Sequence, residues 1–284
     1  MENVKDWKDL MTDRIKLFVG CSPGGEDAES QMVLEYSIKK NTTIPVDIVW
    51  MRLSHDPESF WYTAEDDGWS TKTWATPFSG FRWAIPAYCN YEGKAIYCDS
   101  DFVFISDLKK LWNQEFQPDK VVMAKGGDQG WRYCLAFWNC EAAKNVPLIN
   151  NLDRSKKIPN FHQRMMAHFT STPGIVQQFQ GTWNCVDGED LPIDKIDALH
   201  YSDMSSQLHL KYALKRLKAS GGKHWFDGTI RDHWRQDLKD LFDQYYHEAL
   251  NYGMRVDDYV PNVPFGEIRK ESQKNYRKAH KWSK

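Results

Sequence analysis

The chain has 284 residues, of which 41% are hydrophobic and 14% aromatic, and its formal net charge is −2. This composition supplies a sizeable core and excludes a disordered or fibrous protein. The charge gives no overall attraction to nucleic acid, and no stretch approaches the ~20 apolar residues that a membrane span requires.

The six cysteines are scattered along the chain without the C-x-x-C spacing that is typical of zinc sites. This pattern favours reduced, mostly buried thiols over a disulfide framework. The first ten residues lack the apolar segment of a secretion signal. We therefore expect a cytoplasmic protein.

The first predicted elements are a strand over residues 15–19, a glycine-containing loop over 20–25 and a helix over 26–40. The helix has apolar residues at helical spacing, acids in its first turn and lysines in its last. Residues 46–51 form an uninterrupted apolar run, so the order predicts a βαβ unit in a parallel sheet. Ligands of such sheets bind at the carboxyl ends of the strands, although the glycine loop alone is equally compatible with a plain turn.

Residues 54–76 show no periodicity, and we expect a long surface excursion there. Order resumes over residues 78–88, where Arg82 stands among apolar and aromatic residues. An arginine in such surroundings requires an anionic partner.

Two aspartates, Asp99 and Asp101, interrupt a strand-like stretch over residues 94–105. Ser106 or Asp107 follows at a position where it can cap a helix. Carboxylates at the end of an apolar strand are costly unless a cation neutralises them, so the D-x-D pattern favours a hard divalent ion with phosphate oxygens as further ligands. An ordinary solvated turn is the alternative, because aspartate is also a favoured turn residue.

Two more strands are predicted at 121–124 and 134–139, around a glycine-containing loop that is another candidate for the same rim. Beyond residue 140 the chain turns mainly helical, with a strand at 197–201 and amphipathic helices near 207–218 and 232–253. The basic residues after 267 predict a solvated, frayed end or a weak contact with an anionic membrane surface.

The order of these motifs resembles that of the GT-A glycosyltransferases, in particular family 8, the glycogenin and bacterial galactosyltransferase type. The similar segments span roughly residues 15–210, and they are F-S-G-F-R-W-A-I-P-A-Y-C, K-A-I-Y-C-D-S-D-F-V-F-I-S-D-L, C-L-A-F-W-N-C-E, Q-G-T-W-N-C-V-D-G and L-H-Y-S-D-M. The resemblance implies an α/β fold with a Rossmann-like, mostly parallel mixed sheet, flanking helices and a helical carboxy-terminal region. We expect one domain over residues 1–284, with a nucleotide-sugar-binding core at 15–140, acceptor-side and closing helices at 141–260 and a basic tail at 261–284.

The resemblance also implies site residues. Asp99, Asp101 and His200 would hold Mn²⁺ or Mg²⁺ against the two phosphates of a nucleotide sugar, and Asp99, Asp101 and Arg82 would form the catalytic group. The implied nucleotide-sugar contacts are Gly20, Cys21, Ser22, Arg82, Ser100 and Lys125, and the implied acceptor or sugar contacts are Gln129, Trp183, Asn184 and Asp187. The residue types agree with this chemistry, since an imidazole beside two carboxylates favours manganese, although a strand histidine is also often satisfied by backbone groups.

The sequence departs from the family pattern after the histidine. Asp203 stands where the family has a glycine, and Ser206 where it has a lysine that helps to hold the diphosphate. An acid near a diphosphate is unfavourable unless it faces away. We therefore expect Gln207, Lys211 or Lys125 to supply the missing donor, or the diphosphate to bind more weakly.

The implied function is the transfer of a hexose from a UDP-sugar to a hydroxyl of a glycan, lipid or protein, with retention at the anomeric carbon. One alternative is a nucleotidyltransferase that makes nucleotide sugars, and another is a non-catalytic sugar- or nucleotide-binding protein with a decayed site. A glycosidase is disfavoured, because its paired carboxyls need neither a metal nor a phosphate-binding rim.

Overall fold

The computed structural model describes residues 14–71, 73–127, 130–226, 228–263 and 265–266. Six strands form the central sheet: β1 (Ile15–Gly20), β2 (Val46–Met51), β3 (Lys94–Asp99), β5 (Val122–Lys125), β6 (Arg132–Asn139) and β7 (Val176–Gln178). A smaller sheet has three strands: β4 (Phe102–Phe104), β8 (Cys185–Val186) and β9 (Ala198–His200).

The central sheet has the strand order β2-β1-β3-β6-β5-β7, and the small sheet has the order β4-β9-β8. In the central sheet β1 pairs in parallel with β2 and with β3, and β5 pairs in parallel with β7. Only β6 runs against its neighbours β3 and β5. The predicted mostly parallel mixed sheet is confirmed.

Nine α-helices lie in the described part of the chain: α1 (Ala28–Asn41), α2 (Ile85–Tyr88), α3 (Lys109–Trp112), α4 (Cys140–Ala143), α5 (Pro147–Asn150), α6 (Leu152–Ser155), α7 (Phe161–Ser171), α8 (Leu210–Ala219) and α9 (Gln236–Asn251). The two predicted amphipathic helices correspond to α8 and α9. None of the described helices is long and apolar enough to cross a bilayer.

The first βαβ unit forms as the sequence predicted. In α1 the first turn carries Glu29 and the last turn carries Lys39 and Lys40, which complements the helix dipole. Its apolar residues pack towards β1, and its opposite side is covered by α9 and by a 3-10 turn at Val256–Tyr259. This covering explains why polar α1 residues are buried as well.

Residues 259–261 lie against the first βαβ unit and the glycine loop. The Tyr259 hydroxyl donates a hydrogen bond of 2.8 Å to Glu35, and the Arg52 guanidinium donates one of 2.7 Å to the Tyr259 carbonyl. Gly25, at φ +73°, has no room for a Cβ, because such an atom would lie 2.8 Å from the Pro261 ring. The carboxy-terminal turn therefore closes over the glycine loop.

The predicted surface excursion over residues 54–76 is wrong in one respect. Three of its tryptophans, Trp61, Trp69 and Trp74, are at most 6% exposed and pack around Phe81 in the main core. The approach is close enough that a Cβ at Gly80 would lie 2.2 Å from the Trp74 ring. The segment lacks periodicity because irregular loops, rather than a helix or strand, deliver these rings to the core.

Candidate metal and donor site

Strand pairing brings the predicted site residues to one rim of the sheet. Gly20, the last residue of β1, pairs with Asp99, the last residue of β3, so the glycine loop and the D-x-D motif are neighbours. In the small sheet Phe102 of β4 pairs with His200 of β9. This antiparallel pairing returns His200 to the D-x-D motif from about a hundred residues further along the chain.

Asp99 is held in a buried network. The Arg82 Nη2 atom donates a hydrogen bond of 3.0 Å to Asp99 Oδ1, and the Tyr97 hydroxyl donates to the same oxygen. The guanidinium lies 4.7 Å from the centre of the Tyr97 ring, and its Nε donates to the Ser79 carbonyl at 2.9 Å. Burial raises the pKa of Asp99 above its usual range, although Arg82 opposes the shift. The anionic partner that the sequence required for Arg82 is therefore Asp99.

Asp101 lies between His200 and Gln207. The His200 Nε2 atom is 3.3 Å from Asp101 Oδ1, and the imidazole stacks on Phe102 with ring centroids 4.4 Å apart. The Gln207 amide donates to Asp101 Oδ2 and also to the Tyr201 carbonyl at 2.9 Å. Burial disfavours the charged imidazole, but the carboxylates of Asp101 and Asp99 raise the pKa of His200 above its usual value.

Two buried atoms at this point make no hydrogen bond with the described residues. His200 Nδ1 has no partner there, and Asp101 Oδ1 has only its 3.3 Å ion-pair contact with His200 Nε2. Native proteins rarely leave buried polar atoms without a hydrogen bond, and an ion at this point would explain both atoms. In addition, ligand atoms of Asp99, Cys134 and His200 all lie within 4.8 Å of one another. The residues present therefore fit a divalent cation.

Asp27, which no motif of the sequence singles out, connects the glycine loop with the D-x-D motif through hydrogen bonds. The Asp27 carboxylate accepts from the Ser22 backbone N–H at 3.1 Å and from the Ser100 hydroxyl at 2.5 Å. Cys21 and Ser22 are 0% and 1% exposed, and the Trp225 indole donates to the Ser22 hydroxyl at 2.9 Å. The acid-rich start of α1 is the sequence signal for Asp27, but the helix dipole alone also accounts for acids at this position.

The candidate donors for the missing family lysine all have partners of their own. Lys125 and Arg132 both form ion pairs with Glu189, at 2.5 Å in each case, and Lys211 pairs with Asp243 at 2.6 Å. The Gln207 amide faces Asp101. The predicted role of these side chains at a diphosphate therefore stays a prediction.

The acid that replaces the family glycine is also engaged locally. The Asp203 carboxylate accepts from the backbone N–H and hydroxyl of Ser205 and from the Ser206 hydroxyl. These bonds close a tight turn and direct the carboxylate oxygens towards Ser205 and Ser206.

Two of the predicted acceptor or sugar contacts, Trp183 and Asn184, are buried. Trp183 and Asn184 are 2% and 0% exposed, with the Trp183 indole donating to the Gln180 carbonyl at 2.9 Å. Their contact with a sugar stays a prediction, and the burial gives it no support. Gln129 lies outside the described residues, as does the basic tail from residue 267 onward.

Asp187 belongs to a second buried pair. It accepts a hydrogen bond of 2.8 Å from Ser202 and lies 3.3 Å from His233 Nε2. The His233 Nδ1 atom accepts from the Arg235 backbone N–H, so the proton of the neutral ring is on Nε2, which donates to Asp187. Burial opposes ionisation of Asp187, but these donors lower its pKa below the usual value. His233 stands in a coil segment without a motif, and no sequence signal pointed to it.

The fold is that of the GT-A glycosyltransferases. The glycosyltransferase GlyE of Streptococcus pneumoniae TIGR4 superimposes with a TM-score of 0.53 and 13% identity, over 90% of this chain and 67% of GlyE. The bifunctional glycosyltransferase WbbM superimposes with a TM-score of 0.50 and 14% identity, over 88% of this chain. This chain spans about half of WbbM, since the match covers 52% of that protein.

At the sequence level, the chain is similar to protein CDI of Arabidopsis thaliana. The two are 24% identical over 261 residues, which cover 83% of this chain and 90% of that protein. No family model matches the chain. The predicted GT-A fold is thus confirmed, whereas membership of family 8 stays a prediction.

Proposed function

We propose that this protein is a metal-dependent glycosyltransferase that moves a hexose from a UDP-sugar to a hydroxyl acceptor. The observation that carries the proposal is the convergence of Asp99, Asp101 and His200 beside Arg82, on the rim where the GT-A sheet presents its strand ends. Mn²⁺ or Mg²⁺ held by these three ligands would neutralise the charge that develops on the departing diphosphate. The buried His200 Nδ1 atom, which has no hydrogen-bond partner among the described residues, supports this role.

The protein's own residues would orient the reacting groups. Arg82 and Tyr97 together fix one oxygen of Asp99, so the carboxylate needs little reorganisation when a donor arrives. Gln207 restrains Asp101 in the same way from the opposite side. Transfer with retention, which the family resemblance implies, would then depend on holding donor and acceptor in contact.

A screen of UDP-sugar donors tests the proposal. UDP release is measured for each donor, first with Mn²⁺ and then with EDTA. Asp101→Asn and His200→Gln should each reduce metal-dependent release about a hundredfold or more. Asp107→Asn is the matched control, because Asp107 follows β4 and its carboxylate accepts a hydrogen bond of 2.9 Å from the Lys109 backbone N–H at the start of α3. Release that EDTA leaves unchanged would contradict the metal role, and release of pyrophosphate would instead indicate a nucleotidyltransferase.

A non-catalytic nucleotide-binding protein is the second candidate. The observation in its favour is that Lys125 and Lys211 are ion-paired while Ser206 occupies the family lysine position. Calorimetry with UDP, with and without Mn²⁺, separates the two. UDP binding that Mn²⁺ does not strengthen, together with a complete lack of turnover across the donor panel, would favour this candidate.

A further inference from the structure

Cys134 occupies the strand position opposite Asp99. The antiparallel pairing of β3 with β6 matches Tyr97 with Ala136 and Cys98 with Leu135. Continuing this register by one residue places Cys134 across from Asp99. Side chains of such a cross-strand pair lie on the same face of the sheet, with Cβ atoms about 4.5–5.5 Å apart.

The thiol is also within reach of the histidine. The Cys134 Sγ atom, a carboxylate oxygen of Asp99 and a ring nitrogen of His200 all lie within 4.8 Å of one another. Asp99 and His200 are 8% and 6% exposed, and Cys134 is half-buried and free of any disulfide. Within the described part of the chain, no other group of three histidine, cysteine or acidic side chains has its ligand atoms this close together.

The distances between the three ligand atoms are close to those found around a bound metal ion. Ligand atoms around a four-coordinate Zn²⁺ lie about 3.3–3.8 Å apart, because the bonds are about 2.0–2.3 Å long. Side-chain rotations that move the ligand atoms by about 1 Å are therefore sufficient. Asp101, whose Oδ1 atom lies 3.3 Å from His200, is available as the fourth ligand.

We propose that Cys134 is a ligand of this metal centre. The site would then take borderline and soft divalent ions such as Zn²⁺, Co²⁺ and Cd²⁺ in preference to Mg²⁺, because thiolates bind such ions far better than they bind hard ones. The step is a proton exchange without redox chemistry, in which the S–H bond breaks, a sulfur–metal bond forms and the proton goes to solvent. This inference rests on the metal centre of the proposed function and refines which ions that centre accepts.

Titration of the metal-free protein with Co²⁺ tests the inference without any activity assay. A cobalt–thiolate bond gives a charge-transfer band in the near ultraviolet, and carboxylate or imidazole ligands do not. We expect this band in the wild type and in Cys89→Ser, and its loss in Cys134→Ser. Cys89 is the matched control because it is also half-buried and free, but it follows α2 outside the cluster.

Competition between Cd²⁺ and Mg²⁺, measured by calorimetry, gives a second readout. Losing even an outer-shell partner of a metal ligand typically costs ten- to a hundredfold in affinity. Cys134→Ser should therefore lower the ratio of Cd²⁺ to Mg²⁺ affinity at least about tenfold, whereas Cys89→Ser should leave it unchanged.

The results of the Co²⁺ titration distinguish a failure of this inference from a failure of the proposed function. Co²⁺ binding without the charge-transfer band, or a band that persists in Cys134→Ser, would overturn coordination by Cys134 and leave the aspartate–histidine centre standing. A wild-type protein that binds no divalent ion would overturn both.

Discussion

The guanidinium of Arg82 lies 3.0 Å from the carboxylate of Asp99, and only 8% and 12% of the two side chains are exposed. A buried pair of this kind contributes little net stability when it is intact, because removing both charges from water is costly. Removing one partner is different, since the other charge is then buried without compensation. The pair therefore makes each residue dependent on the other.

We expect Arg82→Met to lower the free energy of unfolding by about 3–5 kcal/mol at alkaline pH, where Asp99 must remain ionised. The double variant Arg82→Met/Asp99→Asn should be less destabilised than the single variant, because it carries no unpaired charge. Urea denaturation measures both values. Arg14→Met, which removes the exposed pair with Asp47, should have little effect. Equal destabilisation in the single and double variants would contradict the buried-charge account.

Gly20 should not tolerate a larger residue. A Cβ at this position would lie 2.7 Å from the Tyr97 hydroxyl oxygen and 2.8 Å from the Phe78 ring. We expect Gly20→Ala to cost about 1–3 kcal/mol of stability, as overpacking usually does, and to displace the hydroxyl that holds Asp99. Mn²⁺ affinity, measured by calorimetry, should fall with it.

Gly174→Ala is the control for this substitution, because a Cβ there would have none of the described atoms within 4 Å. It should leave Mn²⁺ affinity unchanged. Wild-type affinity in Gly20→Ala would show that the Tyr97 hydroxyl does not position Asp99 for a metal.

Glu26 should make stability fall as the pH rises towards neutrality. Burial raises the pKa of its carboxyl from 4.5 to about 7, although the Gly24 backbone N–H, at 2.9 Å, favours the ionised form. Between these values the folded protein binds more protons than the unfolded chain. This contribution to stability is therefore fully present below pH 4.5 and is lost as the pH passes the folded-state pKa.

A shift of this size corresponds to about 3 kcal/mol, at 1.36 kcal/mol per pKa unit. We expect the free energy of unfolding of Glu26→Gln, relative to that of the wild type, to increase by about this amount from pH 4.5 to pH ~8. Urea denaturation at the two pH values measures it. The exposed Glu58 supplies the control, and Glu58→Gln should follow the wild-type profile. Parallel profiles for the wild type and Glu26→Gln would contradict a protonated Glu26.

Gln207→Glu should have opposite effects on the metal-free and metal-bound protein. Gln207 is 5% exposed, and its amide donates to Asp101 and to the Tyr201 carbonyl. The glutamate would lose both hydrogen bonds and place a second carboxylate beside Asp101. The free energy of unfolding of the metal-free protein should therefore fall by about 1–3 kcal/mol. The added carboxylate is a further hard ligand, so the increase in Tm on adding Mn²⁺ should exceed that of the wild type.

Gln236→Glu is matched to this change, because the exposed Gln236 amide also donates to a carboxylate, that of Asp240, at 2.8 Å. Its Mn²⁺ response should equal that of the wild type. The same response in Gln207→Glu would indicate that Asp101 does not belong to the metal site.

Local patterns predicted much of the fold. The βαβ unit, the D-x-D strand and helices α8 and α9 follow from periodicity and turn residues that lie within about twenty positions of one another. The meeting of the glycine loop with Asp99 follows from the rule that parallel strands end at the same edge. The return of His200 to Asp101 depended on the family resemblance, because no local pattern links strands about a hundred residues apart.

Register and loop paths account for what the sequence did not predict. Cys134 faces Asp99 only because β6 pairs with β3 in one register, and a slip by one residue would turn its side chain to the other face. The buried Trp61, Trp69 and Trp74 lie on irregular backbone, for which periodicity carries no information. The Asp187–His233 pair joins segments 46 residues apart, and the segment of His233 has no motif.

The closure of the carboxy-terminal turn over the first βαβ unit has a consequence for biosynthesis. Tyr36 bonds to Glu248 across 212 residues, and Glu35 bonds to Tyr259 across 224. Contacts of such long range form late, because the entropy of closing the loop must be overcome first. During translation the outer face of α1 therefore stays uncovered until α9 and the turn after it have left the ribosome. We expect the nascent chain to be a substrate for chaperones that bind exposed apolar segments throughout that interval.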